Sequence, residues 1–284
     1  MKNTAHQNTR SLLNQHRFNI KKKYGQNFLV DDNTIKKIIA TAAVDKGSTV
    51  VEIGPGMGAL SKELTQQCGA LVAYEIDKDL IPVLKTLFKD DKNVAILHKD
   101  FLKSDLKKDL QSIDFAKKEV TVVANLPYYI TTPILFRCLE FSDIIDKMVF
   151  MTQYEVAKRL TAQTNTKDYN ALSVMVHYLT EATFEFKVSK NVFIPAPNVD
   201  SAIITLKVRK EREAKDEAFF FDFVKTAFKQ KRKTLLNNLS KGYDLPKETV
   251  SKLITDHGET VNVRAEAISV NQFLKMSEAF RKLL

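Results

Sequence analysis

Ser48-Thr49-Val50-Val51-Glu52-Ile53-Gly54-Pro55-Gly56-Met57-Gly58 is the stretch on which the fold reading turns. Its first six residues form a short run rich in β-branched side chains, suited to a strand, and the glycines that follow end the run abruptly. Apolar residues then recur at helical spacing through Leu60 and Leu64. A strand, a glycine-rich turn and a helix in that order open a βαβ unit.

The alternation continues outward from this unit. Residues 70–74 read as a strand, 80–88 as a helix, 93–97 and 120–124 as strands, the segment from Pro133 as a helix, and 147–151 as a strand. Upstream, Asp31 and Asp32 supply a cap signal for a helix reaching about Ala43. This order predicts an α/β fold, Rossmann-like, with a mostly parallel sheet covered by helices on both faces. Two further runs, 182–188 and 202–208, flank a proline-marked loop at 193–197 and are placed as an antiparallel pair at the sheet edge. Beyond Lys210 the sequence turns charged and helical, with 211–217 as a solvated connector. The expected organisation is a mobile basic tail over 1–20, a catalytic domain over 21–210, and a small all-helical domain over 211–284.

Charge follows this division. Residues 1–30 hold six Lys/Arg and no acid, residues 207–284 carry a net +6, and residues 31–206 carry a net −2. A basic excess at both ends suits a polyanion such as nucleic acid, because phosphate contacts by Lys and Arg drive sequence-independent affinity. A merely solubilising surface is the alternative. Cys68 and Cys138 form no CxxC pair, and the five histidines show no ligand spacing, so neither a disulfide framework nor a metal site is expected. No signal peptide and no apolar run of membrane-spanning length is present, which predicts a soluble cytoplasmic protein with no membrane partner.

The glycine loop lets backbone approach a ligand while the following helix N-terminus offers unpaired N–H groups. Gly54, Gly56 and Ala59 also satisfy a permissive dinucleotide pattern, so a nicotinamide cofactor and S-adenosylmethionine both remain open at this point, as does a purely structural turn. Glu75 closes the next strand, 21 residues after Gly54, where an acid can accept both hydroxyls of a ribose in either cofactor. Asp77 reads better as a cap for the helical run from Lys78. Asp100, after the third strand, reads equally as a cap or as an acceptor for an adenine amino group.

Asn125-Leu126-Pro127-Tyr128, at the end of the strand VTVVA, separates these alternatives. The N6 lone pair of adenine is delocalised into the ring, so the nitrogen attacks poorly until acceptors hold its hydrogens. Asn125 can supply one acceptor through its side-chain oxygen. Pro127 fixes its own φ and can hold the Leu126 carbonyl outward as a second. Tyr128 offers a flat face to an extruded base, worth ~1–3 kcal/mol. Such a clamp suits methyl transfer from S-adenosylmethionine to an adenine amino nitrogen, by positioning rather than by a general base. A plain strand-to-turn exit is the alternative.

From about Lys21 to the C-terminus the chain resembles the ribosomal RNA adenine N6-dimethyltransferase family, most closely its bacterial small-subunit branch. Lys22 to Leu29 is similar to the family's N-terminal cofactor motif, VEIGPGMGALS to its glycine loop, NLPYYITTPI to its catalytic segment, the segment from Phe193 to Ser201 to its FxPxPxVxS loop, and the segment from Phe228 to Leu235 to its C-terminal basic helix. The resemblance implies a Rossmann-like S-adenosylmethionine-dependent methyltransferase domain. It implies that Asn27, Leu29, Gly54, Glu75, Asp100 and Asn125 contact the cofactor, and that Tyr128 and Phe193 sandwich the target adenine beside the Asn125 clamp. It further implies dimethylation of two adjacent adenosines near the 3′ end of small-subunit rRNA, within an immature small subunit. The chain is expected to act as a monomer without metal. Two positions depart from the family pattern: Lys99 stands where a glycine is usual before Asp100, and Tyr129 where Asn is common after Tyr128.

Lys225, Lys229 and Lys233 fall at i, i+4 and i+8 on one predicted helix, with Arg232 beside them. Like charges at that spacing cost a helix ~0.2–0.5 kcal/mol per pair, so a phosphate backbone that neutralises them explains the pattern, as does a solvated face. Residues 219–223 read as core packing. Large-subunit rRNA as substrate, and a non-catalytic ribosome-assembly factor, are the rival functions.

Overall fold

The computed structural model describes residues 21, 24–113 and 119–284; the tail expected over 1–20, with Lys22 and Lys23 of the N-terminal motif, lies outside the described residues. In chain order the first elements are β1 (Phe28–Leu29), α1 (Asp32–Ala42), β2 (Ser48–Ile53), α2 (Ala59–Gln67), β3 (Ala70–Glu75), α3 (Ile81–Leu87) and β4 (Val94–His98). Then come α4 (Leu106–Ser112), β5 (Glu119–Asn125), α5 (Thr131–Glu140), β6 (Ile145–Gln153), α6 (Tyr154–Leu160) and α7 (Ala171–Leu179). The rest are β7 (Thr180–Val188), β8 (Phe193–Ile194), β9 (Ser201–Val208), α8 (Glu217–Ala227), α9 (Leu235–Tyr243), α10 (Lys247–Asp256) and α11 (Val270–Arg281).

Seven strands form one sheet in the order β4-β3-β2-β5-β6-β9-β7. β2 lies parallel between β3 and β5, with Val51 opposite both Val72 and Val122. The sheet stays parallel through β4 and β6, and β9 turns it antiparallel against β6. β7 and β9 are neighbours at the edge, where the sequence placed them. All six residues of β2 are buried, as a central strand covered on both faces requires. After β2 the chain winds outward through β3 and β4, then restarts on the other side of β2 with β5. The strand order therefore reverses between β2 and β5, and open α/β sheets bind ligands in the crevice at the carboxyl ends of such strands.

α1 begins where Asp31 accepts the Thr34 amide at 2.7 Å and buries Ile35, Ile38 and Ala42 in a cluster with Leu60 and Leu64 of α2 and Val50, Val123, Val149 and Ile203 of the sheet. No helix of the described residues is long and apolar enough to cross a membrane.

The chain divides into two compact units: one runs through Ala157 and adds Thr183–Val208, the other joins Lys158–Ala182 to Arg209–Leu284. This differs from a single cut near residue 210. α7 carries Val174, Met175, Val176 and Leu179, all buried, and so needs apolar cover. It finds it in the C-terminal helices: the Tyr178 ring packs 4.8 Å from that of Phe220, its hydroxyl donates to Glu217 at 2.9 Å, and the buried Tyr169 hydroxyl donates to the Ile268 carbonyl at 3.0 Å. Phe220 and Phe223 are core residues of this helical unit, with Phe223 5.2 Å from Phe280 between ring centroids.

Candidate active site

One cavity opens at the carboxyl ends of the central strands, and Asn27, Leu29, Gly54, Glu75, Asp100, Asn125, Tyr128 and Phe193 all line it. The topology explains the gathering. Ile53 and Ala124 are paired across β2 and β5, so the glycine loop after one strand and Asn125 at the end of the other emerge side by side at the switch point. Gly54 has φ 72°, and a Cβ built on it meets nothing within 4 Å. Glycine is needed there for the backbone turn, and the space beside it is left open.

Glu75 is buried, and its carboxylate accepts the Gly56 amide at 3.2 Å and the Asp77 amide at 2.8 Å. Burial still pushes it up to about 7. Such a group, held by two backbone donors at the mouth of a cavity, gains from further donors such as ribose hydroxyls. Asp77 does not cap α3, which begins later, at Ile81. Although burial works against it, hydrogen bonds from Lys21, the Asp79 amide and Gln26 hold Asp77 below the usual carboxylate range. It ties the N-terminal segment to the end of β3. Asp100 takes the cap role: its Oδ1 accepts the Leu102 amide at 3.0 Å. It also lines the cavity, so the cap does not remove it from the site. Lys99 turns its ammonium aside to Asp109, which also accepts the Tyr74 hydroxyl at 3.0 Å.

Asn125 Nδ2 donates to the Asn27 carbonyl at 3.0 Å across 98 residues of sequence. That bond fixes which end of the amide is which and leaves Oδ1 as an acceptor. The Leu126 amide donates to Met151 at 3.0 Å, and among the described residues no hydrogen bond reaches the Leu126 carbonyl. Two oxygens, one from a side chain and one from the backbone, are thus available where β5 ends. Tyr128 begins a 3₁₀ turn, is partly buried, and shares a 2.9 Å hydrogen bond with Ser201 that holds its ring. Phe193 enters by a different route: β1 and β8 form a two-stranded antiparallel sheet with Leu29 opposite Phe193. Both side chains are buried in the core cluster and border the cavity at its edge.

The helical unit departs from expectation. Lys225, Lys229 and Lys233 do not share a helix, because α8 ends at Ala227. Asn238 of α9 ends it: its side chain donates to the Ala227 carbonyl at 2.7 Å and to the Gln230 carbonyl at 3.2 Å. Lys229, Arg232 and Lys233 lie in the turn that follows, exposed, as is Lys225 on the helix. The like-charge cost along one helix therefore does not apply.

Glu52 was missed. It lines the cavity, is 1% exposed, and its Oε2 has no hydrogen-bond partner among the described residues. Burial, with Glu75 adding to it, pushes it up to about 8. A carboxylate inside an otherwise apolar strand, two residues before a glycine loop, was the available signal. Ile76, 45% exposed beside Glu75, also lines the cavity.

A family model described as ribosomal RNA adenine dimethylase matches residues 17–282. A protein of Streptococcus thermophilus, named ribosomal RNA small subunit methyltransferase A, is 42% identical over 279 residues, covering 96% of each chain. A protein of the same name from Streptococcus gordonii is 43% identical with the same coverage. Among solved structures, the 23S rRNA methyltransferase ErmE superposes with a TM-score of 0.70 at 29% identity, covering 89% of this chain and 98% of that one. A dimethyladenosine transferase from Plasmodium falciparum gives a TM-score of 0.74 at 24% identity over 90% and 98% of the two chains, a likeness of fold.

Proposed function

The chain belongs to the ribosomal RNA adenine dimethylase family, and from that premise we propose that it dimethylates N6 of two adjacent adenosines near the 3′ end of small-subunit rRNA, within an immature small subunit in the cytoplasm. It is a methyltransferase that uses S-adenosylmethionine. The small-subunit relatives are 42% and 43% identical along nearly the whole chain, against 29% for the large-subunit enzyme. That contrast supports small-subunit RNA as the substrate.

The cavity fits the cofactor: buried Glu75 offers acceptors for ribose hydroxyls, and the open space beside Gly54 admits a close backbone approach. When bound, S-adenosylmethionine supplies an electrophilic methyl on a sulfonium, which leaves as a neutral thioether. The residues supply placement. In the first transfer Asn125 Oδ1 and the Leu126 carbonyl accept the two amino hydrogens, and in the second one of these oxygens accepts the hydrogen that remains, drawing the nitrogen toward tetrahedral geometry each time. These hydrogen bonds strengthen as positive charge develops on nitrogen, so they favour the transition state over the ground state. Tyr128 and Phe193 hold the extruded base. Solvent takes the proton that the product nitrogen sheds, so the reaction needs no metal. One chain carries both the cavity and the basic helical unit, in keeping with action as a monomer.

The anchored amide of Asn125 is the observation that carries this reading. Its test is tritium transfer from methyl-labelled S-adenosylmethionine to unmethylated small subunits, read as N6,N6-dimethyladenosine. Label appearing in large-subunit rRNA alone would move the substrate. No transfer to either, with subunit binding retained, would leave an assembly factor.

A further inference from the structure

We infer that Tyr129 is a stacking platform for the nucleotide beside the target adenosine, setting how tightly the RNA strand is held at the cavity mouth rather than how fast the methyl moves. The inference rests on the adenine-methylating reading of the site. Tyr129 is 62% exposed, more than any other aromatic side chain among the described residues. A single exposed aromatic ordinarily calls for no explanation; its placement here does. Tyr128 and Tyr129 are successive residues of a tight 3₁₀ turn, closed by the Ile130 amide donating to the Pro127 carbonyl at 3.1 Å. Such a turn rotates ~120° per residue, so neighbouring side chains leave in different directions. Tyr128 is held by Ser201 and lines the cavity, whereas the Tyr129 ring, which does not line it, packs beside Gly25 at its rim.

Gly25 locates that rim. A Cβ built on Gly25 would sit 3.4 Å from Tyr129 Cε1, 3.7 Å from its Cδ1, and 3.4 Å from Pro127 Cβ. Tyr24, Gly25, Pro127 and Tyr128 all border the cavity. An RNA strand that delivers one base into the cavity breaks its own stack there, leaving the adjoining base with a bare face at the mouth. An exposed phenol ring takes such a face without reading its identity.

Steady-state methylation of unmethylated small subunits by the full chain tests this, comparing Tyr129→Ala, Tyr129→Leu and Tyr129→Phe. Loss of the π-face is expected to raise KM for subunits roughly ten-fold in the Ala and Leu variants, with kcat and cofactor affinity within two-fold of the parent and Phe indistinguishable from it. Leu keeps apolar bulk, so a Leu variant that behaves like the parent would overturn the inference. So would a loss confined to kcat. A second readout is 2-aminopurine placed next to the target adenosine in an RNA fragment of the site, whose fluorescence should be quenched on binding the parent and not the Leu variant. Equal quenching by both overturns the inference even if Ala proves unstable. A parent that methylates no RNA would instead sink the reading on which the inference rests.

Discussion

The α/β unit and the helical unit hold their candidate residues in opposite ways. At the cavity the groups are few, partly or fully buried, and anchored: Asn125 by Asn27, Tyr128 by Ser201, Glu75 by two backbone amides. In the helical unit Lys225, Lys229, Arg232 and Lys233 are exposed, and among the described residues they have no ion-pair partner. The difference fits the division of labour proposed above. Moving a methyl requires a nitrogen in line with its carbon, and misplacement by an ångström is costly. Holding phosphate requires charge at the right density, which long mobile side chains deliver without fixed geometry. One unit should therefore fail by single atoms and the other by summed charge.

The sharpest break is Asn125→Ala. Removing the side-chain acceptor should lower single-turnover methyl transfer to subunits by about a thousand-fold, the upper end for loss of one oriented hydrogen-bonding group. Subunit binding, followed by co-sedimentation, should stay unchanged. Transfer at the parent rate would remove Asn125 from the chemistry. The converse break is the fourfold alanine variant of Lys225, Lys229, Arg232 and Lys233. Subunit affinity should fall on the order of a hundred-fold, and the slope of log affinity against log salt should flatten by about three. Cofactor affinity by calorimetry should not move. An unaltered salt slope would show that the phosphate contacts lie elsewhere.

The two units were also unequally legible. The strands and the glycine loop could be read because burial on both faces imposes runs of apolar residues and the turn demands glycine, both local signals. Glu75 and Asn125 were legible as candidates because they end such runs, and both line the cavity. The β1–β8 pairing, which sets Leu29 opposite Phe193, and the hydrogen bond between Asn125 and Asn27 join segments far apart in sequence, where no local pattern reports them. Glu52 hid inside a strand that otherwise reads as apolar. In the helical unit the periodicity of Lys225, Lys229 and Lys233 misled, because a tertiary contact from Asn238 stops the helix after Ala227. α7 was missed because its mostly apolar run, broken only by Ser173 and His177, shows no clear amphipathic stripe.

Gly242→Ala sharpens the independence of the units. A Cβ there would sit 2.2 Å from Thr226 Cγ2, where α9 crosses α8. Threonine is stiff at χ1, so the helices must part or the side chain must leave its rotamer. Overpacking should cost ~1–3 kcal/mol, partly offset by the ~1 kcal/mol that alanine gains over glycine in a helix. Thermal unfolding should show a lowered transition, restored by adding Thr226→Ala. Methyl-donor affinity should be untouched. A stabilised single variant would mean that the helices are free to shift.

pH probes the α/β unit alone. Glu75 and Glu52 are raised to about 7 and about 8 by burial. Unfolded, both would ionise near 4.5. Between that value and about 8 the unfolded chain therefore binds fewer protons than the folded one, and the stability of the cofactor-free protein should decline as pH rises through that window. Cofactor binding should run the other way. Ribose hydroxyls donate best to an ionised Glu75, so affinity should rise as pH climbs toward about 7, by up to ten-fold per pH unit below it, and then level. Glu75→Gln cannot ionise and should bind more weakly with a flatter profile. Any slope that persists in Glu75→Gln and disappears in Glu52→Gln would assign the titration to the strand carboxylate.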